Sequence, residues 1–253
     1  MSFNKSIFLY KNLLKLHAPT VSSEDSDYPK TNLYDGDRNS FFKPEDSSDL
    51  TITIDAGADK PVDMLCLGNL HNLATAGATI ALEWCPNDSW GGDRETVFSE
   101  AISTDNAYYH KLFTQLSKRH WRIKLSGMSA IPQIGELAFG ARFTLPHYFG
   151  DGHDRRGTSR ARRTCRRRPR GGHSLYRRNI FPCTLADVRA LSQAETDILA
   201  WRDAVEDGTP FWFLRDASGS YVLYFVALAE RVHKSPISAI GKRTFSFTLE
   251  EEL

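Results

Sequence analysis

The sequence predicts a mainly β protein, with a β-sandwich or jelly roll first and a small α+β module after it. Three observations support this prediction. Apolar and polar residues alternate with period two in several short segments, of which 50–54 is the clearest. Clusters of Gly, Asn, Asp and Pro separate these segments, as turns separate strands. One helical pattern is present, near the end of the chain.

The strands of the sandwich are predicted between residues 20 and 145. The alternation at 50–54 recurs at 80–84 and 121–125, which is typical of strands with one buried face. The segment 64–67 is apolar throughout and therefore fits a strand that is buried on both faces. Irregular loops join these segments and no strong helical pattern interrupts them, which favours a β-sandwich.

Residues 181–253 follow a different pattern and predict an α+β module, with one helix packed on an antiparallel sheet. Ser192 and Glu195 match a capping box at the start of the helix. Apolar residues recur at helical spacing after them, and Gly208 ends the helix. A hairpin follows, and the alternation at 244–249 predicts a final strand.

One short segment is strongly basic. The chain has 32 Lys and Arg, 31 Asp and Glu, and a formal net charge of +1. Residues 155–178 contain eleven Arg and no acidic residue, so the rest of the chain has 21 basic and 31 acidic residues and a net charge of −10. Almost none of these residues can form a core, and 146–180 are therefore expected to be an Arg- and Gly-rich linker or arm.

Three interpretations of the Arg-rich segment remain open. It could bind nucleic acid through phosphates, but Tyr176 is its only aromatic residue for stacking, so nucleic acid is not the favoured partner. It could be a solvated loop, and a compensated reading-frame shift could explain its composition. The charge balance favours a basic arm that docks on acidic neighbouring subunits. The arginines expected at that interface are Arg160, Arg162, Arg163, Arg166, Arg167, Arg168 and Arg170.

Several functional classes lack a sequence signal. No apolar run approaches the roughly 20 residues of a membrane helix. Lysines interrupt the apolar residues of the N-terminus, so no signal peptide is expected, and residues 1–19 are assigned to an N-terminal arm. The four cysteines form no CxxC pair and are expected to be free thiols. Because GxSxG, HExxH, P-loop and strand-to-helix GxGxxG motifs are absent, we do not expect an enzyme.

The first domain resembles the discoidin-like, galactose-binding-like β-sandwich family. The resemblance depends on an ordered set of segments and covers about half of the chain. These segments are YPKTNLYDGDRNSFF, LTITIDAG, MLCLGNLHNLATAGATIALEW and HWRIKLSGMSAIPQIGELAFG. It implies a jelly-roll β-sandwich over residues 20–145.

The same resemblance implies a structural calcium ion. In many relatives the loop after the Asp-Gly-Asp turn binds calcium, a cation that prefers oxygen ligands. Carried over to this chain, Asp37 and Ser40 would supply side-chain oxygens and Glu136 would close the site. The alternative is that Asp35-Gly36 is only a turn and Glu136 a surface acid.

A sugar site is also implied by the resemblance. The family binds sugars on loops at one end of the sandwich, with an aromatic platform beside polar donors. Trp90, His71 and Asn72 are the candidates for carbohydrate binding, and Trp84 is a weaker one. Trp84 alternates with Ile80 and is therefore expected in the core, whereas Trp90 lies in a polar NDSWGG segment and should be more exposed.

A second resemblance is to tail and baseplate proteins of tailed phages. It depends on Gly68-Asn69-Leu70, on the segment 132–137 and on the aromatic alternation before the acidic C-terminus. It implies a ring of identical copies, a trimer or hexamer, that contacts other tail tube, hub or baseplate proteins in the virion. Trp201 and Trp212 would then be further interface residues, since aromatic residues are favoured anchors.

From the sequence we therefore expect a structural component of a phage or phage-like tail tip, made in the host cytoplasm. The alternative is a carbohydrate-binding adhesin that recognises a host surface glycan. An adhesin needs exposed aromatic and polar groups that converge on one rim, whereas a ring subunit needs large interfaces between copies. The residues that separate the two expectations are Trp90 and the arginines of 160–170.

Overall fold

The computed structural model describes residues 6–68, 70–145, 148–149, 155–158, 177–217 and 220–252. The chain forms two compact units. Residues 8–143 make up the sandwich unit, and residues 1–7 with 144–253 make up the α+β unit. The predicted fold class is confirmed, because the protein is mainly β, with two antiparallel sheets and a helix that follows the sandwich unit in the sequence.

Short strands dominate, and two long ones organise the sandwich unit. The strands are β1 (Ile7–Leu9), β2 (Thr20–Val21), β3 (Leu50–Leu67), β4 (Thr79–Cys85), β5 (Glu95–Ala101), β6 (Tyr109–Ser126), β7 (Leu137–Gly140), β8 (Phe143–Thr144), β9 (Tyr148–Phe149), β10 (Arg155–Thr158), β11 (Arg177–Arg189), β12 (Phe211–Ala217), β13 (Ser220–Leu228), β14 (His233–Lys234) and β15 (Lys242–Glu251). The helices are α1 (Leu13–Leu16) and α2 (Gln193–Val205), with a 3-10 turn at Lys30–Leu33. No described helix is long and apolar enough to cross a membrane.

The sheet of the sandwich unit is antiparallel and has the order β2-β3-β6-β4-β5, with β7 paired to β3. Strands β3 and β6 have 18 residues each. Their pairing is interrupted by register shifts between Asp55 and Lys60 and between Val62 and Met64. Such irregularities bend a strand. Strand β3 therefore pairs with β2 before the bend and with β7 after it.

The alternation read from the sequence places the core of the sandwich unit. Leu50, Ile52 and Ile54 are buried, while the threonines between them are half-buried. Strand β6 adds Trp121 at the point where it faces Trp84 of β4. The segment 64–67 is buried throughout, as its unbroken apolar run predicts. One hydrophobic cluster collects these inward residues from both sides of the bend.

Residues that the sequence analysis assigns to an N-terminal arm pack into the sandwich unit. Leu13 and Leu14 of α1 are buried in the main hydrophobic cluster. Asn12 fixes the helix to β7, because its Nδ2 donates to the Leu137 carbonyl at 2.9 Å and its Oδ1 accepts from Phe139 N–H at 3.3 Å. The side chain of Asn12 also caps the helix. The Asn12 side chain thus fixes this part of the predicted arm to the sandwich unit.

In the α+β unit, β11, β15, β13 and β12 are antiparallel neighbours in that order. Helix α2 begins after Ser192, as predicted, and its buried residues include Ile198, Trp201 and Val205. The Trp201 ring packs against Phe211 and Phe247, with centroids 5.7 and 4.8 Å away. This is the predicted arrangement of one helix on an antiparallel sheet.

The two tryptophans that were expected at a subunit interface are both buried in this structure. Trp201 has no exposed surface and belongs to the helix–sheet core. Trp212 is 3% exposed, and its ring lies 4.8 Å from that of its cross-strand neighbour Phe225. Both side chains therefore serve packing within the α+β unit. Their role at a subunit interface stays a prediction.

Glu195 connects the start of α2 to two strands. Its backbone N–H donates to Ser192 Oγ, and its carboxylate accepts from Leu191 N–H at 2.6 Å. The same carboxylate, which is 4% exposed, forms ion pairs with Lys234 Nζ at 2.8 Å and Arg243 Nε at 3.0 Å. The hydrogen bond from Lys234 holds the pKa of Glu195 below its ordinary value. The capping box therefore also joins the helix to β14 and β15.

We expect Glu195→Ala to lower the free energy of unfolding of the α+β unit by about 2 kcal/mol, because it removes a cap and leaves two cations without their anion. Urea unfolding followed by circular dichroism measures this. Asp197→Ala is the matched control, since half-buried Asp197 accepts a hydrogen bond from Gln193 within the same helix. Equal effects of the two changes would contradict the role given to Glu195.

Candidate functional site

The loop between β4 and β5 folds back over the outer face of the sheet. Cys85 ends β4, and its thiol donates to Asn87 Oδ1 at 3.3 Å and to the Ser89 carbonyl at 3.2 Å. Asp88 has a φ of 58°, in the left-handed region that non-glycine residues rarely occupy. The reversal at Asp88 turns the chain so that Trp90 meets the sheet.

Trp90 is half-buried and held at both ends. Its Nε1–H donates to Asp88 Oδ1 at 2.9 Å, and its carbonyl accepts from Arg94 Nη1 at 2.9 Å. The guanidinium carbon of Arg122 lies 4.5 Å from the centre of the indole ring. A guanidinium on an aromatic face is a favourable cation–π contact. Arg122 thus covers one face of the half-buried ring.

A buried ion pair supports the Trp90 ring. Arg122 Nε donates to Glu83 Oε2 at 2.7 Å, and its second nitrogen lies 2.5 Å from the same oxygen. Glu83 is 6% exposed, and it faces Arg122 directly in the β4–β6 register. Arg94 approaches the other Glu83 oxygen at 3.7 Å. We call Trp90 with Glu83 and Arg122 beneath it the Trp90 platform.

A histidine and two aspartates lie at the side of the platform. His120 Nδ1 is 4.0 Å from Asp55 Oδ1 and 4.0 Å from Asp88 Oδ1, and it is buried with no hydrogen-bond partner in the described part of the chain. Asp55 accepts two hydrogen bonds from Arg119, at 2.6 and 2.7 Å. Those bonds hold the pKa of Asp55 well below its ordinary range.

The other predicted sugar-binding residues have structural contacts. His71 is 1% exposed; its Nε2 lies 2.9 Å from the Ala107 carbonyl, and Leu73 N–H donates to its Nδ1. Burial lowers the pKa of His71, which favours the neutral ring. Asn72 Nδ2 donates to the Ile131 carbonyl, and its Oδ1 accepts from Gln133 N–H. The structure therefore brings neither of them to Trp90.

Trp84 is half-buried, packs on the core cluster as expected, and has Lys118 Nζ 3.3 Å from its ring centre. The seven arginines predicted as interface residues lie outside the described residues.

The acidic turn forms a second cluster of polar groups. Gly36, with a φ of 85°, donates its N–H to Glu136 Oε1 at 2.5 Å, and the Asp35 side chain is also hydrogen-bonded to Glu136. Ser40 Oγ donates to Asp35 Oδ2 at 2.8 Å. Asp37 instead accepts from Asn39 N–H. Of the predicted ligands, Ser40 and Glu136 thus meet through Asp35, while Asp37 turns to its own loop.

The donor chemistry of this cluster fits a hard cation. Glu136 is 5% exposed, and burial together with Asp35 raises its pKa to about 8. A calcium ion here would be held by Asp35, Glu136 and Ser40, and its charge would replace the proton that two adjacent carboxyl groups otherwise share. Within the described residues, no group of three or more His, Cys, Asp or Glu could hold a metal ion. Calcium therefore stays a prediction.

Five functional residues were missed by the sequence analysis. Glu83 and Arg122 form a cross-strand pair on the polar face, and the alternation in β4 and β6 contained that signal. Asp35 lies in the same Asp-Gly-Asp turn as Asp37, but Asp37 was named as the calcium ligand. Asp88 and His120 depend on the loop conformation, which no sequence pattern indicated.

Comparison with known proteins gives structural likenesses only. No family model matches the chain, and neither does any curated protein. Similar solved structures include chitosan-binding module 1 of a chitosanase/glucanase from Paenibacillus sp. IK-5, which is 14% identical, with a TM-score of 0.44 over 52% of this chain and 99% of that one. A CBM32 module from Clostridium perfringens, in complex with GalNAc-β-1,3-galactose, is 14% identical, with a TM-score of 0.43 over 52% and 100%. A Ruminococcus gnavus GH29 fucosidase is 17% identical, with a TM-score of 0.45 over 54% and 28%.

We expect the metal-free sandwich unit to lose stability as the pH rises from about 5 to about 8. The folded-state pKa of Glu136 is raised from 4.5 to about 8, so in this window the folded chain keeps a proton that the unfolded chain releases. The loss is at most about 1.4 kcal/mol per pH unit. Thermal unfolding in a chelator at several pH values measures it.

Glu136→Gln should remove most of this slope, because the amide does not titrate. If Asp35 and Glu136 hold calcium, adding the ion near pH 8 should raise the melting temperature of the unmodified protein and leave Glu136→Gln unchanged. Asp37→Asn is the matched control. A calcium response lost in Asp37→Asn and kept in Glu136→Gln would contradict this assignment.

Proposed function

We propose that the protein is a carbohydrate-binding protein and that the Trp90 platform is its sugar site. The observation that carries this proposal is a half-buried indole ring that lies over the Arg122–Glu83 ion pair and beside exposed charged groups. A pyranose packs its C–H face on such a ring, while its hydroxyl groups need charged or polar partners around the rim. Both requirements are met in one place.

The polar partners stand beside the ring on two sides. The side chain of Asp88 is 59% exposed, and that of Arg94 is 47% exposed. Both are already held by Trp90, so little further ordering is needed when a ligand binds. The carboxylate accepts from sugar hydroxyls and the guanidinium donates to them. The proposed activity is binding without catalysis.

Carbohydrate binding is placed here before the tail-tip role, which is the opposite of the order expected from the sequence. In a ring subunit, Trp201 and Trp212 were candidates for interface anchors as well as core residues, and both are buried. An adhesin was expected to display Trp90, and Trp90 is half-exposed beside charged groups. The two residues that the sequence analysis paired with Trp90, His71 and Asn72, are replaced by Asp88 and Arg94.

Trp90→Ala should weaken sugar binding by about 30-fold, the loss expected for an aromatic anchor worth about 2 kcal/mol. A glycan array with the unmodified protein first identifies a ligand, and calorimetry then compares the variants. Trp90→Phe should keep part of the affinity because the ring is retained. Asp93→Ala, in the same exposed loop, is the matched control. If a ligand found on the array binds Trp90→Ala as tightly as it binds the unmodified protein, the proposal is contradicted.

A second candidate function is a subunit of a phage or phage-like tail tip, located in the virion. The observation that favours it is the charge asymmetry between the eleven-arginine segment and the acidic remainder of the chain. In a ring of identical copies each acidic surface can receive the basic segment of a neighbour. The α+β unit, which a sugar-binding sandwich does not need, would contact neighbouring copies and other tail proteins.

The native mass at low and moderate salt tests the second candidate. A tail-ring subunit should form a discrete trimer or hexamer that loosens with salt, because the contacts are ionic. Changing arginines of 160–170 to alanine should impair that assembly. The matched control changes Lys60 and Lys118 instead. A monomer at both salt concentrations, with or without other tail proteins added, would count against this candidate.

A further inference from the structure

His120 is the residue of the sandwich unit whose surroundings are least satisfied. Its Nδ1 is buried, lies 4.0 Å from two carboxylate oxygens and has no hydrogen-bond partner among the described residues. A separation of 4.0 Å is too long for a hydrogen bond, and a buried polar atom without one is costly. The two carboxylates come from different elements, Asp55 from β3 and Asp88 from the β4–β5 loop.

Charged groups of both signs lie around His120. Asp55 and Asp88 face Nδ1 directly, while the nearby guanidinium groups are occupied: Arg119 pairs with Asp55 and Arg122 pairs with Glu83. From β4, the cross-strand neighbour is Cys85, whose thiol is bonded to the loop. Arg119 also interacts electrostatically with Asp88, although both of its hydrogen bonds go to Asp55.

We propose that His120 is a proton-dependent clasp for the β4–β5 loop, which holds Trp90 in its ligand-binding position when the ring is charged. Histidine is the side chain that changes charge between about pH 5 and 8. Once protonated, both ring nitrogens are donors, and Nδ1 can form charge-assisted bonds with Asp88 and Asp55. Asp88 also accepts from Trp90 Nε1–H, so a shift of Asp88 toward His120 is transmitted to the platform.

The clasp makes His120 a positioning residue, since it acts on a ligand only through Asp88 and Trp90. Its consequence for sugar binding rests on the proposed function, whereas the movement of the loop does not. With a neutral ring, the loop keeps only its other contacts, such as those of Cys85 and Asn87 and the Arg94 bond to the Trp90 carbonyl. The platform should therefore be more mobile at high pH and more ordered at low pH.

Hydrogen exchange of the Trp90 indole N–H, followed by NMR and assigned with Trp90→Phe, tests the clasp without any sugar. After correction for chemical exchange, we expect protection to rise about ten-fold between about pH 8 and about pH 5.5, as one charge-assisted bond predicts. His120→Gln should lose this rise. His110→Gln, on the same strand β6, and Glu136→Gln, the other titrating site of this unit, should keep it.

Asp88→Asn provides a second test that does not disturb the strand. It keeps an oxygen for the Trp90 indole and removes the charge, so the pH-dependent protection should disappear. The clasp is overturned if protection does not rise in the unmodified protein, or if His120→Gln and Asp88→Asn both keep the rise. If the protection depends on pH but no sugar binds on an array, the proposed function is contradicted and the clasp is supported. If sugar binding depends on Trp90 but is equal at both pH values, and the protection is constant, the clasp is contradicted and the proposed function is supported.

Discussion

The ion pair between Glu83 and Arg122 is the interaction on which the outer face of the sandwich unit depends. Two charges are buried there, and each is compensated because the β4–β6 register places the residues directly opposite each other. A buried charge that loses its partner is strongly destabilising, so the two strands must keep this register. Trp90 then lies on a guanidinium group whose position this ion pair fixes.

Three of the buried carboxylates in the described part of the chain are stabilised in different ways. Glu83 is paired with arginine across two strands, and Glu195 is paired with two cations at the start of a helix. Glu136 instead meets another carboxyl group, Asp35, and a backbone N–H. In this third arrangement, burial and the neighbouring Asp35 raise the pKa of Glu136.

The sequence was sufficient to predict the parts of the fold that follow from periodicity. The alternation at 50–54 and 121–125, the capping box at Ser192 and the helix after it are all found in the structure. The site was predicted only at Trp90. Asp88 and His120 escaped prediction because their relation depends on a left-handed residue and on a fold-back of the loop. His71 was assigned to sugar binding because nothing in the sequence indicated that its side chain is buried.

The attachment of Glu195 to Lys234 and Arg243 has a consequence for synthesis on the ribosome. The carboxylate at the start of α2 is joined to residues that are made roughly 40 to 50 positions later. Until those residues have left the exit tunnel, the helix has its own cap but neither its cationic partners nor β15 beneath it. Contacts between distant residues form late in folding. The α+β unit is therefore completed only when nearly the whole chain has emerged, whereas the sandwich unit can fold well before that.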